Sequence, residues 1–286
     1  MEIRIIEDRI RKYNPESKRE ELNVVKEIAQ EITLQALSRS NFFKHGAFQG
    51  GTCLRIVYGL PRFSEDLDFV LFETNPNFVW GPYFNELKLE FESFGFSIEA
   101  VDRSKAGNAV KKAFLKENSF GQVLDLVYAR NRSDEQTIKI KLEVDTNPPA
   151  GSIFETKLAK FPFPFSIVTQ TLPSLFAGKV HALLVREYIK GRDWFDLTWY
   201  VTRNALINYS LLNEALYQQG PWSQQDLNVG KDWVLESLRG KIQSIDWNLA
   251  RKDVEGFLKP RELMSTELWS SDFFEEFIQI MDQYLT

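Results

Sequence analysis

The sequence predicts an α+β protein: a mixed sheet with helices in the first part of the chain, then a C-terminal helical domain. Segments with strand-like alternation are confined to the first part, whereas apolar stripes at helical spacing dominate after about residue 170. Between them, Asn147-Pro148-Pro149-Ala150-Gly151 breaks the last clear strand. These observations place an α/β domain with an N-terminal helix at residues 1–165 and a helical domain at 166–286.

A chain of 286 residues with 43% apolar and 26% charged residues has the composition of an ordinary globular protein with a sizeable core. Phe occurs 23 times, so the core is expected to be rich in aromatic rings. A net charge of −5 argues against non-specific coating of nucleic acid, while leaving room for a local basic groove. Cys53 is the only cysteine, which rules out a disulfide framework and a cysteine-rich metal centre. His45 and His181 are the only histidines, so any metal is expected on oxygen ligands, as suits Mg²⁺ or Mn²⁺. No stretch reads as membrane-spanning or as a signal peptide, and a cytoplasmic protein is expected.

In chain order, Ser17 to Asn41 reads as an amphipathic helix. Ser17 and Glu20 have capping-box spacing, and Leu22, Val25, Ile28, Ala29, Ile32, Ala36 and Leu37 follow at helical intervals. Phe42–Gln49 reads as a short strand, Thr52–Tyr58 as a helix, and the segment bearing Asp66 and Asp68 as a second strand. Pro82–Phe94 is expected to be helical, with Gly95 as its stop. Phe96–Val101, Val110–Glu117, Gln122–Tyr128 and Thr137–Asp145 are expected strands. Leu172–Lys190 is strongly helical, with Leu175, Phe176, Val180, Leu183 and Leu184 as its buried stripe; Gly191 interrupts it and Arg192–Val201 continues. Further helical segments fall around 209–218, 223–238, 247–258 and 266–285.

The chemistry concentrates in residues 48–69. Asp66 and Asp68 lie two apart on a strand, hence on one face and roughly 6.5–7 Å apart along it, with Leu67 and Phe69 turned into the core. Neighbouring carboxylates repel unless a cation sits between them, so a metal site is the functional reading and a solvated strand edge the bland one. Gly50-Gly51 lets the backbone approach a ligand, and the amides opening the next helix favour an anion such as phosphate. Arg62 is read either as a solvated loop charge or as a phosphate contact. On the strand ending at Asp145, Lys139, Lys141, Glu143 and Asp145 share the polar face, so Glu143 or Asp145 is placed to supply a third carboxylate. Lys179, Ala182 and Arg186 line one side of the long helix, directing two cations together. Arg192 and Asp196 lie four apart on one face of the next helix, with Asp193 one turn before Asp196, and they read equally as catalytic residues or as an Arg–Asp pair stitching two helices together. Lys105, Lys111, Lys112 and Lys116 form a candidate basic cluster. His181 and Cys53 are read as packing residues.

These residues resemble the AbiEii/AbiGii-type nucleotidyltransferases, toxin components of bacterial toxin–antitoxin and phage-abortive systems within the DNA polymerase β superfamily. The likeness rests on Gly50-Gly51-Thr52, on Arg62-Phe-Ser-Glu-Asp66-Leu-Asp68-Phe, and on Lys179-x-x-Ala-Leu-x-x-Arg186 followed by Gly-Arg192-Asp193-x-x-Asp196-Leu. It covers about residues 40–205; the last 80 residues carry no motif of the family. Residues 52–65, fourteen in all, separate Gly51 from Asp66, a longer loop than the superfamily's usual spacing. The resemblance implies a polymerase β-like mixed sheet and transfer of a nucleotide from a nucleoside triphosphate, with pyrophosphate leaving. It also implies Mg²⁺ (or Mn²⁺) on Asp66, Asp68 and Glu143 or Asp145, and β/γ-phosphates on Gly50, Gly51 and Thr52. Lys179, with Arg62 and Arg186, would contact the nucleotide, and Asp196 or Asp193 would orient Lys179 or the acceptor. Ser64 is a candidate for self-modification. The expected acceptor is RNA, with the 3′ end of a tRNA as the named candidate, and a cognate antitoxin is an expected partner. The alternatives are a protein or small-molecule acceptor, or a catalytically silent binding module.

Overall fold

The computed structural model describes residues 2–104, 109–117, 124, 126 and 138–286. The expected strand Gln122–Tyr128 lies outside the described residues except for Leu124 and Leu126. The chain divides into two compact units. The first comprises residues up to Gly59, Phe63–Pro148 and Glu155–Thr169, and the second Leu60–Arg62, Pro149–Phe154 and Gln170–Thr286.

In the first unit, α1 (Glu2–Tyr13) lies against α2 (Lys18–Arg39). Sequence reading passed over α1, although Ile6 and Ile10, both buried, mark its inner side. At the start of α2 the Ser17 hydroxyl accepts the Glu20 amide (3.2 Å) and the Glu20 carboxylate accepts the Glu16 amide (2.9 Å), satisfying amides the helix leaves open. α2 is enclosed on nearly every side: Val24, Val25, Ile28, Ala29, Ile32, Leu34, Ala36 and Leu37 are fully buried. Its buried carboxylates Glu27 and Glu31 each have a cationic partner, as burial of charge requires. Arg55 holds Glu27 at 2.7 Å, Arg9 holds Glu31 at 2.8 Å, and the Tyr13 hydroxyl donates to Glu27.

The strand expected over Phe42–Gln49 is shorter. A 3₁₀ turn (Phe42–Lys44) precedes β1 (Gly46–Gln49), because Asn41 takes a left-handed conformation that turns the chain. Then come α3 (Gly50–Tyr58), β2 (Leu67–Leu71), α4 (Phe84–Ser93), β3 (Ile98–Asp102), β4 (Val110–Glu117) and β5 (Ile138–Asp145). Two strands that sequence reading did not identify, β6 (Phe154–Ala159) and β7 (Phe165–Gln170), complete the sheet. The strand order is β3-β4-β5-β2-β1-β7-β6. β2 runs antiparallel to β1 and parallel to β5, while β4 is antiparallel to both β3 and β5. Leu67, Phe69, Leu115, Leu142 and Val144 are buried on the apolar face. The expected aromatic core appears beside it: Phe42 stacks on Trp80 (centroids 5.5 Å) and meets Phe69 edge-on (4.9 Å).

The second unit is helical: α5 (Leu172–Val185), α6 (Gly191–Val201), α7 (Tyr209–Gln218), α8 (Lys231–Ile242), α9 (Trp247–Glu255), α10 (Pro260–Ser265) and α11 (Ser271–Tyr284). α5 stops five residues short of the expected Lys190. Arg186 is extended, and its carbonyl accepts the Lys241 ammonium (2.8 Å), which satisfies an end the helix leaves open. α8 starts at Lys231, after an extended Gly230, and not near 223. The segment expected over 266–285 begins later, where Ser270 caps α11, and Pro260 opens the separate α10. α6 and α9 approach so closely that a Cβ on Gly191 would fall on the Ala250 carbonyl. Phe176 stacks on Tyr200 (4.2 Å), and Trp247 on Phe274 (4.3 Å), forming two aromatic centres of the helical core. Among the described residues, no helix is long and apolar enough to cross a membrane.

Candidate active site

Gly50, at the junction of β1 and α3, has φ +77°, a conformation that glycine adopts without steric cost. A Cβ there would stand 2.9 Å from the Asp68 Cβ and collide with its carboxylate. The turn and the acidic strand are therefore in direct contact. α3 opens with Gly50, Gly51 and Thr52, and no side chain caps it, so its first-turn amides and positive dipole end suit an anion. The Thr52 hydroxyl is not available for a phosphate: Thr52 is fully buried and donates to the Asp66 carbonyl. It pins the start of β2 to α3, leaving its backbone amide as its part of the cradle. Gln30, which sequence reading missed, donates through Nε2 to the carbonyls of Ser64 (3.1 Å) and Glu65 (2.8 Å) and fixes the approach to Asp66. Gln30 lies among several polar residues of α2, so local pattern did not single it out.

The register of β2 against β5 distinguishes the two candidates for a third carboxylate. Asp68 is opposite Glu143, whereas Asp145 is opposite Val70, two residues farther along. The Asp145 carboxylate accepts the Asn147 amide (2.9 Å), and burial outweighs that bond to raise its pKa. Glu143 is held by two ammonium groups, Lys141 at 2.8 Å on Oε2 and Lys112 at 3.1 Å on Oε1. Burial pushes the Glu143 carboxyl up, but the lysines outweigh it and leave the pKa below its ordinary value. Lys141 Nζ also lies 3.7 Å from Asp66 Oδ2. Burial disfavours the Lys141 charge, and the Glu143 hydrogen bond with the fields of Asp66, Glu143 and Asp68 more than restores it. Sequence reading put Lys141 on this face without giving it a role, because strand alternation reveals a face and not which groups meet.

Among the described residues, no group of three or more His, Cys, Asp or Glu side chains is gathered as a ready metal cage. The donor set nevertheless suits a hard divalent cation: the carboxylates of Asp68 on β2 and Glu143 on β5, opposite each other, and of Asp66 just before β2, with the Lys141 ammonium drawn between Asp66 and Glu143. Asp66, Asp68 and Glu143 are the residues that would hold it.

Charged residues of the second unit form a buried network of their own. Arg62 is only 3% exposed and grips Asp196 with Nε and Nη2, each at 2.6 Å. It is neither the solvated loop charge nor the open phosphate contact that sequence reading offered; the fork geometry of guanidinium and carboxylate explains the choice of partner. Lys179 Nζ bridges Asp193 (2.6 Å) and Asp196 (2.8 Å), and Arg186 lies 3.3 Å from the other Asp193 oxygen. Burial pushes Asp193 up, but Lys179, Arg186 and Lys190 bring its pKa down to about 2. Arg192 pairs with Asp253 (3.6 Å) on α9, an Arg–Asp pair that joins two helices. The candidate basic cluster also divides. Lys111 is buried on the opposite face, Lys116 pairs with Glu99 (3.4 Å), Lys112 serves Glu143, and Lys105 lies outside the described residues. Cys53 is buried; His181 is hydrogen-bonded near the Gln219 carbonyl (3.4 Å), and burial lowers its pKa.

Two crystal structures share this fold. JHP933 from Helicobacter pylori has a TM-score of 0.54 at 17% identity, covering 92% of this chain and 93% of that one. A proposed nucleotidyltransferase from H. pylori has a TM-score of 0.51 at 16% identity, covering 90% and 93%. No curated protein matches the sequence. The model of the family described as "Nucleotidyl transferase AbiEii toxin, Type IV TA system" matches residues 32–277, a span that holds the glycine turn, both carboxylate strands and the Lys179–Asp196 network. The chain belongs to the AbiEii nucleotidyl transferase family, toxins of type IV toxin–antitoxin systems.

Proposed function

We propose that this protein transfers a nucleoside monophosphate from a nucleoside triphosphate to an RNA hydroxyl, releasing pyrophosphate, with Mg²⁺ (or Mn²⁺) on Asp66, Asp68 and Glu143. The reading rests chiefly on one observation: Asp68 is opposite Glu143, while the Gly50 turn abuts Asp68 from the other side. When bound, the metal neutralises phosphate charge and favours in-line attack at the α-phosphorus. The amides of Gly50, Gly51 and Thr52 bind phosphate oxygens. Glu143 is the acceptor for the proton of the attacking hydroxyl; while both lysines hold it, its lowered pKa makes it a weak base, and loss of one restores basicity. Within the helical unit, Lys179 and Arg186, paired with Asp193 and Asp196, are the proposed anion-binding cations. Arg62 acts through Asp196, by holding it in place.

An RNA acceptor is favoured by the face that carries the carboxylates. Lys112, Lys116, Lys139 and Lys141 project there from β4 and β5, with Lys116 opposite Lys139. A row of lysines beside a phosphate-handling site suits a polyanion. A cognate antitoxin, as the family description implies, is the proposed protein partner.

The test is incubation with Mg²⁺, each α-labelled nucleoside triphosphate and either total RNA or a protein lysate, with Asp66→Ala/Asp68→Ala as control. Label in RNA with the wild type and not with the control is expected. Label in protein would move the acceptor to a side chain, and absence of transfer under all these conditions would refute the reading.

A further inference from the structure

Lys141 occupies the place of a cation on the acidic face. Its Nζ lies 2.8 Å from Glu143 and 3.7 Å from Asp66, and its charge is favoured by the field of Asp68 as well. Lys112, the other cation at the cluster, contacts only Glu143 among the described ion pairs, at 3.1 Å, and its side chain is more exposed (42% against 29%). Three carboxylates on one face of adjacent strands repel each other, and Lys141 is the group that relieves this repulsion without a metal.

We infer that Lys141 is a resident counter-ion that occupies the metal position in the metal-free protein and is displaced when a divalent cation binds. It rests on the metal site proposed above. Lys141 holds Asp66 and Glu143 in place before loading and opposes the incoming cation, so metal alone binds weakly. An ammonium on a flexible four-carbon stem can turn onto a phosphate oxygen. A triphosphate therefore gives the displaced Lys141 a new partner, and metal and nucleotide load together.

The test uses the full chain and Mn²⁺ alone, following free Mn²⁺ by electron paramagnetic resonance with no nucleotide present. Removing a like charge from the cluster in Lys141→Met should tighten Mn²⁺ binding about tenfold, while Lys141→Arg stays within about threefold of wild type. Lys141→Met should also melt below wild type in chelator and gain more from Mn²⁺. Lys141→Gln serves as the second neutral variant if Lys141→Met does not fold. Unchanged or weaker Mn²⁺ binding by a folded neutral variant would overturn the counter-ion role alone, provided Asp66→Asn/Asp68→Asn abolishes binding to the wild-type site. If that double variant binds Mn²⁺ as wild type does, or no variant binds it, the metal-site reading fails and the counter-ion role falls with it.

Discussion

Asp68 and Glu143 are opposite each other on the parallel strands β2 and β5, and both carboxylates border the Lys141 ammonium's field. On this pairing Glu143 is the proposed third carboxylate, whereas Asp145 accepts the Asn147 amide. Glu143→Gln and Asp68→Asn should each lower nucleotidyl transfer about a hundredfold or more, because charge stabilisation by a held metal is worth several kcal/mol. Asp145→Asn should stay within about tenfold of wild type, having no comparable part in that stabilisation. Steady-state rates with saturating triphosphate distinguish the two. Equal losses at Glu143 and Asp145 would show that the register does not decide the role.

The Gly50–Asp68 contact leaves no space for a side chain. Gly50→Ala adds a Cβ at a left-handed φ and against the Asp68 carboxylate, and should destabilise the protein by about 1–3 kcal/mol. Activity should fall further than stability, since Asp68 must shift. Denaturant unfolding and activity assays on the same preparation check both effects; a neutral outcome in both would mean the turn is not tightly coupled to Asp68.

Arg62→Ala removes the two-pronged partner of the buried Asp196, leaving Lys179 beside it, and should cost about 3–5 kcal/mol of stability, the scale for breaking a buried pair. Arg62→Lys should recover little of this, since an ammonium cannot reproduce the two-pronged grip. Unfolding midpoints of both variants test the point. A solvated Arg62 would give changes below about 1 kcal/mol.

Glu31 provides a pH signature. Burial, opposed by Arg9 and reinforced by Glu27, pushes its pKa from 4.5 up to about 8. An acid with a raised folded-state pKa binds its proton more tightly in the folded state. Its contribution is therefore full below pH 4.5 and is lost as pH rises toward 8. Glu31→Gln should flatten stability across this window, removing a pH-dependent change on the order of 5 kcal/mol. Urea titrations at several pH values measure it, and an unchanged slope would remove Glu31 as the source.

Much of the fold and the acidic face was legible because each rests on local pattern. The alternation from Ile138 to Asp145 identified β5, and the Ser17–Glu20 spacing located the start of α2. Partner choice was not legible in the same way. Arg192 and Asp196 have ideal helical spacing, yet each takes a partner distant in sequence, Asp253 and Arg62. Thr52 is placed as a phosphate ligand by its motif position, but burial turns its hydroxyl to the Asp66 carbonyl. β6 and β7 were missed because both are short, Phe154–Ala159 and Phe165–Gln170, and Pro162 and Pro164 break the pattern between them. Lys141 was visible as a face position only; its contacts with Asp66 and Glu143 come from strand register, which local sequence does not specify.

The most direct test of nucleotidyl transfer compares the same triphosphate labelled at the α- or the γ-phosphorus, with Mg²⁺ and RNA. Attack at the α-phosphorus leaves α-label on the RNA and carries γ-label away as pyrophosphate, and this transfer should vanish in Asp66→Ala/Asp68→Ala. RNA labelled from the γ-position and not from the α-position would contradict nucleotidyl transfer and make the protein a phosphoryl-transfer enzyme.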